Sequence, residues 1–439
     1  MDSICINNKN KTQDQVQKDI ENIIIENKHD KVKAWRESFK YLYNISTSLG
    51  YINESRLALN VPFPKFYNHS YTNVGFEINI NCSKPEIVAG VKTLAENYLN
   101  YEGKCVICFE NIGSSKRDGL RAFEFNIGDT KYFRHFPPYP YFSNHNIIVD
   151  KNHVDQKLDH TTIRHLLELC DMLPGYKVAS NSDKFGTGCT NLLHRHFQAG
   201  DHPFPVFDAV AKKEYRGQYQ ESSLFSIDWL HYPCCCLRVV SRDRDTVEYV
   251  INQLFSGWRE TGDYPTLARD NQTFSMITQY NVDKGAYEFL LFPRHADLSR
   301  FVARPTLQCI KKEFVGIFEF SGVAILPGRL KEQLEQLESI LESQSKSWPN
   351  TLAELVDGGT KYLSLTDSLE MFRDWLHSFF FTYYFNQSNA NNNTIKQLLT
   401  LSVQNTFIEV LADNSPISEN DSALLESWIS QSNLNKLFI

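Results

Sequence analysis

The sequence lacks the features that mark membrane, secreted or nucleic-acid-binding proteins. No uninterrupted apolar stretch is long enough to cross a bilayer, and the polar N-terminus has no apolar segment of a secretory signal. Basic residues are not in excess, since the formal net charge is −7 and the pI is near 6.0. This charge argues against a large nucleic-acid surface. We therefore expect a cytoplasmic protein with no membrane or nucleic-acid partner. A small phosphorylated substrate is compatible with the negative net charge, because it needs only a few local cations.

The sequence also lacks the regular cysteine spacing of a disulfide framework. Its ten cysteines are scattered, and three of them, Cys234 to Cys236, are adjacent. Adjacent cysteines suit a disulfide framework poorly, so we predict reduced thiols, as is usual in the cytoplasm. One functional disulfide stays open as an alternative.

What the sequence does have is a composition typical of a globular chain. It contains 439 residues, of which 42% are hydrophobic and 13% aromatic, enough for one large unit or two domains with substantial cores. Apolar periodicity predicts four regions. These are an N-terminal helical extension over residues 1–80, two α+β halves over 81–230 and 231–345, and a C-terminal helical extension over 346–439.

The two central regions follow a similar pattern. Each alternates helices with strand-like runs, including a predicted helix over 83–101 and a predicted hairpin between 274–280 and 287–292. The phrases His145–His153 and Glu288–His295 each consist of an apolar strand followed by a basic residue and a histidine. We interpret them as an internal repeat, with chance similarity as the alternative. The predicted fold is α+β, with two related halves of antiparallel sheet packed as one unit.

The most informative stretch runs from residue 181 to 200. His194, His196 and Gln198 are each two residues apart, and side chains at this spacing share one face of an extended strand. Gly186 and Gly188 lie just upstream, where backbone amides can approach a phosphate. We interpret the stretch as a site for phosphate chemistry. A chance His-x-His on a surface strand is the alternative.

These residue types suit transfer of a phosphorus-containing group. A neutral histidine can attack phosphorus and form a covalent intermediate that divides one displacement into two. Gln198 can donate an amide hydrogen bond to a phosphate oxygen. Lys184, Thr190 and the backbone amides of the glycine loop are further predicted donors.

At these residues the chain resembles the histidine-triad superfamily of nucleotide hydrolases and transferases. His194-Arg-His196-Phe-Gln198 is similar to the His-x-His-x-Gln of the transferase branch. That branch includes the galactose-1-phosphate uridylyltransferases, the diadenosine tetraphosphate phosphorylases and the GDP-L-galactose phosphorylases. Hydrolases of the superfamily usually carry a third histidine where Gln198 stands. The stretches 137–145 and 316–327 also resemble that branch, so the resemblance implies two histidine-triad-like halves.

The resemblance implies a nucleotidyl transfer through a covalent nucleotidyl-histidine. His196 would attack a nucleoside diphospho compound, either a nucleotide sugar or a dinucleoside polyphosphate. Gln198 would hold the transferred phosphate, and phosphate or a sugar phosphate would accept the nucleotidyl group. The remaining predicted nucleotide- and phosphate-binding residues are Asn181, Lys184, Gly188, Thr190 and His145. The resemblance also implies a homodimer, unless the added tails cover that interface.

A structural zinc is the only cofactor that the resemblance implies, and no organic cofactor is expected. One Cys-x-x-Cys is a weak metal signal by itself, because zinc takes four ligands. Cys105, Cys108, His153 and His194 match the places of the zinc ligands in the uridylyltransferases, and His194 would then orient the site. Two alternatives stay open: a metal-free pair of cysteines, and His145 in place of His153.

Two other functions compete with the transferase hypothesis. A hydrolase on the same fold would cleave nucleotide conjugates with water, although Gln198 argues against it. A zinc-stabilised protein that binds nucleotides without turnover is the other, although the intact His-x-His-x-Gln argues against it.

Overall fold

The computed structural model describes residues 11–84, 102–220, 223–260, 267–297, 304–345, 363–388 and 393–439, and the single positions 262, 264, 348, 351 and 354. The helix predicted over 83–101 lies outside the described residues except for its first two positions. Among the described residues, no helix is both long and apolar enough to cross a membrane.

Runs of strands are separated by helices along the described chain. The strands are β1 Val61–Pro62, β2 Phe66–Asn68, β3 Tyr71–Asn81, β4 Phe123–Ile127, β5 Thr130–His135, β6 Asn146–Asp150, β7 Lys177–Ser180, β8 His196–Gly200, β9 Ala211–Tyr219, β10 Ser223–Leu230, β11 Leu237–Ser241, β12 Gln272–Asn281, β13 Ala286–His295 and β14 Val323–Pro327. The α-helices are α1 Gln13–Glu26, α2 Lys31–Ser48, α3 Glu54–Leu57, α4 His160–Met172, α5 Arg244–Arg259, α6 Pro305–Gln308, α7 Ile317–Phe320, α8 Arg329–Gln344, α9 Leu376–Ser388, α10 Ile395–Asp413 and α11 Ser422–Gln431.

Ten of the strands form one antiparallel sheet made of two equivalent halves. The order is β4-β5-β6-β8-β7 in the first half and, from the opposite edge, β9-β10-β11-β13-β12 in the second. The halves join where β7 pairs with β12, with Met276 opposite Ser180 and Gln279 opposite Lys177. In each half one long helix, α4 or α5, lies between the third and fourth strands. The predicted α+β fold with two related halves is therefore confirmed.

The two equivalent helices begin with the same local sequence pattern. Asp159 caps α4 by accepting a hydrogen bond from the backbone N–H of Thr162 at 2.9 Å, and Asp243 caps α5 by accepting one from Thr246 at 2.8 Å. An N-terminal aspartate satisfies a backbone donor that the helix itself leaves unpaired. This Asp-x-x-Thr pattern is the internal repeat that the topology supports.

One sequence-based expectation about the repeat differs from the structure. The phrase 145–153 contains β6, the third strand of its half, whereas 288–295 lies in β13, the fifth strand of the other half. These two phrases are therefore not equivalent. Both are buried apolar strands, and such strands look alike in sequence. The counterpart of β13 is β8, which carries His196.

The predicted region boundaries also differ in two places. β9 and β10 pair with each other and then with β11, so the second half of the sheet begins before residue 231. The region 1–80 is not helical throughout, because β3 pairs in parallel with β14 of the second half. The four-region division otherwise stays a prediction.

The core covers both faces of the second half but mainly one face of the first. One cluster joins the sheet to α4, α5 and the N-terminal helices, and it includes Phe197 of β8. A second cluster packs β14 and the C-terminal helices against the other face of the second half. Trp375, Phe379 and Phe380 belong to it. Since Phe197 faces the helices, His196 and Gln198 face the opposite side of the first half.

Candidate active site

His196 is the first residue of β8 and is held in one tautomer. Its Nδ1 lies 2.8 Å from the carbonyl oxygen of His194, and a carbonyl can only accept, so Nδ1 carries the proton and Nε2 keeps its lone pair. Burial lowers the pKa of the ring, while the hydrogen bond to His194 partly opposes this. A neutral imidazole with an unprotonated Nε2 is the nucleophilic form.

Gln156 fixes the backbone at the start of β8. Its Oε1 accepts the backbone N–H of His196 at 2.9 Å, and its Nε2 donates to Oγ of Ser180 on the neighbouring strand at 3.2 Å. Gln156 is buried, so these bonds are shielded from water. Sequence reasoning missed this residue because its loop contains no recognisable motif.

Gln198 lies on the same strand face as His196 and contacts His145. Gln198 is opposite Ile147 of β6 and Ala179 of β7, in the interior of the sheet. Its Oε1 lies 2.8 Å from Nε2 of His145. Burial lowers the pKa of His145 to about 4, and the hydrogen bond to Gln198 partly opposes this. His145 is therefore next to the motif and not among the cysteines.

The third polar residue of the motif, His194, points elsewhere. It precedes β8, is fully buried, and its Nε2 lies 2.7 Å from the carbonyl oxygen of Asp150. The expectation that all three side chains share one face therefore applies only to His196 and Gln198. The chain has not yet entered the strand at residue 194, so the two-residue alternation does not extend to it.

The loop from 181 to 190 is packed against the second half of the chain. Oδ1 of Asn181 accepts the backbone N–H of Ile317 at 2.8 Å. Gly188 has a φ of +88°, and a Cβ there would lie 2.3 Å from the carbonyl oxygen of Val315. Glycine is therefore required at 188 for both its backbone conformation and this close approach.

The other predicted residues of this loop differ in exposure. Thr190 is exposed and Lys184 is half-buried. Asp183, which was not predicted, accepts hydrogen bonds from Arg259 at 2.9 Å and from Thr273 at 2.6 Å. Both partners belong to the second half, so Asp183 attaches the loop to it.

The segment of the second half that meets this loop contains buried ion pairs. Nζ of Lys311 lies 2.7 Å from Glu319 and 3.2 Å from Glu313, and Lys84 pairs with Glu313 at 2.9 Å. Glu319 also accepts the backbone N–H of Gly316 at 2.9 Å. These bonds satisfy the buried charges and hold the segment that contacts Asn181. Sequence reasoning did not identify them, because Lys84 and Glu313 are far apart in sequence and the charges of Lys311, Glu313 and Glu319 do not by themselves indicate burial.

Cys105, Cys108, His153 and His194 form one compact cluster. Their ligand atoms all lie within 4.8 Å of one another. Sγ of Cys105 is 3.3 Å from Nδ1 of His194 and 3.6 Å from Sγ of Cys108, and Sγ of Cys108 is 3.1 Å from Nδ1 of His153. The structure therefore brings together the four predicted ligands, and His145 is not among them.

The cluster fits a tetrahedral metal. Zinc with bonds of about 2.3 Å to sulfur and about 2.0 Å to nitrogen places neighbouring ligand atoms about 3.3–3.8 Å apart. The cluster's shorter contacts of 3.1–3.6 Å come close to this range. Nε2 of His194 donates to Asp150, which leaves Nδ1 unprotonated toward the cysteines, as metal-binding histidines require. A structural metal is compatible with these residues.

Comparison with known proteins identifies a matching family and several similar enzymes. Residues 59–201 match a family described as "Domain of unknown function (DUF4922)". A galactose-1-phosphate uridylyltransferase of Clostridium perfringens is 29% identical over 330 residues, which cover 70% of this chain and 64% of that protein. One of Staphylococcus saprophyticus is 30% identical over 336 residues, covering 71% and 66%. One of Enterococcus faecalis is 28% identical over 398 residues, covering 86% and 73%.

The chain thus spans a little less than two thirds of the Clostridium perfringens relative. Solved structures of yeast Ap4A phosphorylase also match. The enzyme crystallised alone is 13% identical with a TM-score of 0.38, and the match covers 81% of this chain and 97% of that one. Its complex with Ap4A is 14% identical with a TM-score of 0.40, covering 73% and 92%. The uridylyltransferase homologues confirm the resemblance to the transferase branch.

Proposed function

Because the chain is a homologue of the galactose-1-phosphate uridylyltransferases, we propose that it transfers a nucleotidyl group through a covalent bond to His196. The observation that carries this proposal is the hydrogen bond from Nδ1 of His196 to the carbonyl of His194. It leaves Nε2 as the attacking atom and also stabilises the positive charge that the ring acquires after attack. Gln198 lies on the same strand face, two residues away.

The reaction has two displacements at the same phosphorus. In the first, the lone pair of Nε2 of His196 attacks the α-phosphorus of a nucleoside diphospho compound. An N–P bond forms, the P–O bond to the β-phosphate breaks, and the phosphorylated leaving group departs with that electron pair. In the second, a phosphate oxygen of the acceptor attacks the same phosphorus and the N–P bond breaks. His196 is regenerated in its neutral form.

The surrounding residues supply hydrogen-bond donors for the phosphate oxygens. The amide NH2 of Gln198 would hold the transferred phosphate. Because Oδ1 of Asn181 accepts the backbone N–H of Ile317, its NH2 would be the end that donates to a ligand. Lys184, Thr190 and the backbone around Gly188 would contact the distal phosphate, and His145 would border the nucleotide. Donors placed before the reaction stabilise the charge of the transition state.

We propose zinc as the metal of the Cys105, Cys108, His153 and His194 cluster, with a structural role. When bound it would neutralise the two cysteine thiolates and hold His194 in place. His194 in turn presents the carbonyl that orients His196. No reaction step requires the metal itself.

We propose a uridylyl group as the first transferred group to test and a sugar 1-phosphate as its acceptor, by analogy with the named relatives. A UDP-hexose labelled at the α-phosphorus should label the wild-type protein, and the adduct should be acid-labile and base-stable. His196→Ala should abolish labelling while its circular dichroism stays native. His160→Ala, which changes an exposed histidine, is the matched control and should label like the wild type.

The same experiment separates the competing functions. Release of the label by galactose 1-phosphate or inorganic phosphate supports a transferase or a phosphorylase. Turnover that needs only water, with no trapped adduct from any common nucleotide donor, would favour the hydrolase. Tight nucleotide binding without either would favour a non-catalytic binding protein. The homodimer stays a prediction.

A further inference from the structure

We infer that His145 is a positioning residue that fixes which end of the Gln198 amide faces the substrate phosphate. This inference rests on the proposed function. It adds a series of three hydrogen-bonded groups that ends at the proposed phosphate-binding amide: the backbone N–H of Tyr141, the ring of His145 and the amide of Gln198. An amide has a donor end and an acceptor end of almost the same shape. Only the donor end stabilises a phosphate oxygen, so the orientation of Gln198 decides whether it helps or hinders transfer.

The direction of the hydrogen bonds among these three groups is set by the backbone N–H of Tyr141, which can only donate. The backbone N–H of Tyr141 lies 3.3 Å from Nδ1 of His145. Nδ1 must therefore be the accepting nitrogen of a neutral ring, and the ring proton sits on Nε2. Burial of His145, with its pKa lowered to about 4, keeps the ring from taking a second proton at neutral pH.

The tautomer of His145 determines the orientation of the Gln198 amide. Nε2–H of His145 donates to Oε1 of Gln198 at 2.8 Å, so the carbonyl end of that amide is occupied. The NH2 end is therefore the end that would donate to a phosphate oxygen of the substrate. If the His145 proton were on Nδ1, Gln198 would turn and present an oxygen to the phosphate, which repels it.

The ring of His145 is itself held from several sides. Its backbone N–H closes a turn on the carbonyl of Phe142 at 3.3 Å, and Asn144 within that turn has a φ of +56°, a conformation that asparagine tolerates better than most residues. Tyr141 stacks on the ring at 5.0 Å, and Phe318 from the second half contacts its edge at 5.1 Å. These contacts leave the ring little freedom to rotate.

The test is a double-mutant cycle between His145 and Gln198. His145→Phe keeps an aromatic ring and removes the donor, and His145→Gln keeps a donor. The readout is the single-turnover rate of His196 labelling by a UDP-hexose labelled at the α-phosphorus, together with the Kd of the same UDP-hexose. We expect His145→Phe to lower the labelling rate by ~10- to 100-fold with a much smaller change in Kd, since one oriented donor is lost. His145→Gln should recover much of the rate.

The Gln198→Ala background distinguishes positioning from a direct role. If His145 acts through Gln198, adding His145→Phe to Gln198→Ala should change the labelling rate less than ~2-fold, because the mutations then affect one interaction. An equal loss of rate in both backgrounds would overturn the inference. A raised Kd with an unchanged rate would overturn it too, and would indicate that His145 contacts the bound nucleotide directly.

A second measurement does not depend on turnover. Spectra of the protein labelled with ¹⁵N-histidine should show His145 protonated on Nε2 and unprotonated on Nδ1. The opposite tautomer would contradict the inference even if the protein transfers nucleotidyl groups. If the wild type forms no adduct but His145 has the expected tautomer, the proposed function fails while the arrangement of the three groups stands.

Discussion

The two histidines of the central motif are joined by a hydrogen bond from Nδ1 of His196 to the carbonyl of His194, 2.8 Å long. The ring of His194 meanwhile points into the cysteine cluster, with Nδ1 3.3 Å from Sγ of Cys105. One residue therefore connects the proposed metal to the proposed nucleophile. Whatever loosens the His194 ring should also loosen the carbonyl that orients His196.

The first prediction concerns this metal. Purified protein should contain about one zinc per chain by elemental analysis, and Cys105→Ser should lose it because a hydroxyl is a poor zinc ligand. His196 labelling should fall with the metal content, since His194 is then held less firmly. Cys82→Ser is the matched control, because Cys82 is half-buried and outside the cluster. A metal-free wild type with full stability would contradict the prediction.

Gly188 gives a prediction about the contact between the two halves. Gly188→Ala introduces a Cβ 2.3 Å from the carbonyl of Val315 and keeps a φ of +88°. We expect a loss of unfolding free energy of about 2–4 kcal/mol, from the strained backbone and the clash. Labelling of His196 should also fall, because the loop moves away from the second half. The measurements are urea unfolding and the labelling rate.

Gly50→Ala is the control for backbone strain alone. Gly50 has a φ of +74° but nothing within 4 Å of its Cβ position. This variant should lose only about 1–2 kcal/mol and should label normally. Equal effects of the two substitutions would show that the approach to Val315 contributes nothing.

Local patterns were enough to predict much of the candidate site. His196 and Gln198 share one face of a short strand because they are two residues apart, and Cys105 and Cys108 are only three residues apart along the chain. The hairpin between β12 and β13 was also predicted, because a turn and two apolar strands occur together in sequence. These features involve neighbours along the chain, where residue type and period carry the information.

The rest depends on contacts between distant residues. Asp183 meets Arg259 and Thr273, and nothing in the sequence around residue 183 indicates those partners. The start of the second half was misplaced because β9 and β10 are paired by a hairpin that no residue pattern had revealed. Two buried apolar strands, β6 and β13, were mistaken for equivalents because strands buried on both faces lose the alternation of apolar and polar residues that would distinguish them.

The ion pair between Asp183 and Arg259 gives the next prediction. Asp183 is 6% exposed and Arg259 is 17% exposed in their side chains, so removing the carboxylate leaves a mostly buried guanidinium without its partner. We expect Asp183→Ala to lower the unfolding free energy by about 3 kcal/mol. The double variant with Arg259→Ala should be less destabilised than the sum of the two single variants. Additive losses would mean that the two residues do not act as a pair.

The last prediction concerns the pH dependence of stability. His165 is 5% exposed and hydrogen-bonded to Tyr132 at 2.9 Å, and burial lowers its pKa to about 4. The unfolded chain takes up a proton near pH 6.5. Between these values the unfolded state binds more protons, so the stability from neutral His165 is complete above pH 6.5 and is lost as the pH falls toward 4.

The loss attributable to His165 should reach at most about 3 kcal/mol at pH 4. His165→Gln cannot be protonated, so its unfolding free energy should fall less steeply between pH 6.5 and 4. His135 and His145, whose pKa values burial also lowers to about 4, should keep part of the slope in the variant. Urea unfolding at four pH values measures each slope, and parallel curves for wild type and His165→Gln would exclude a neutral buried His165.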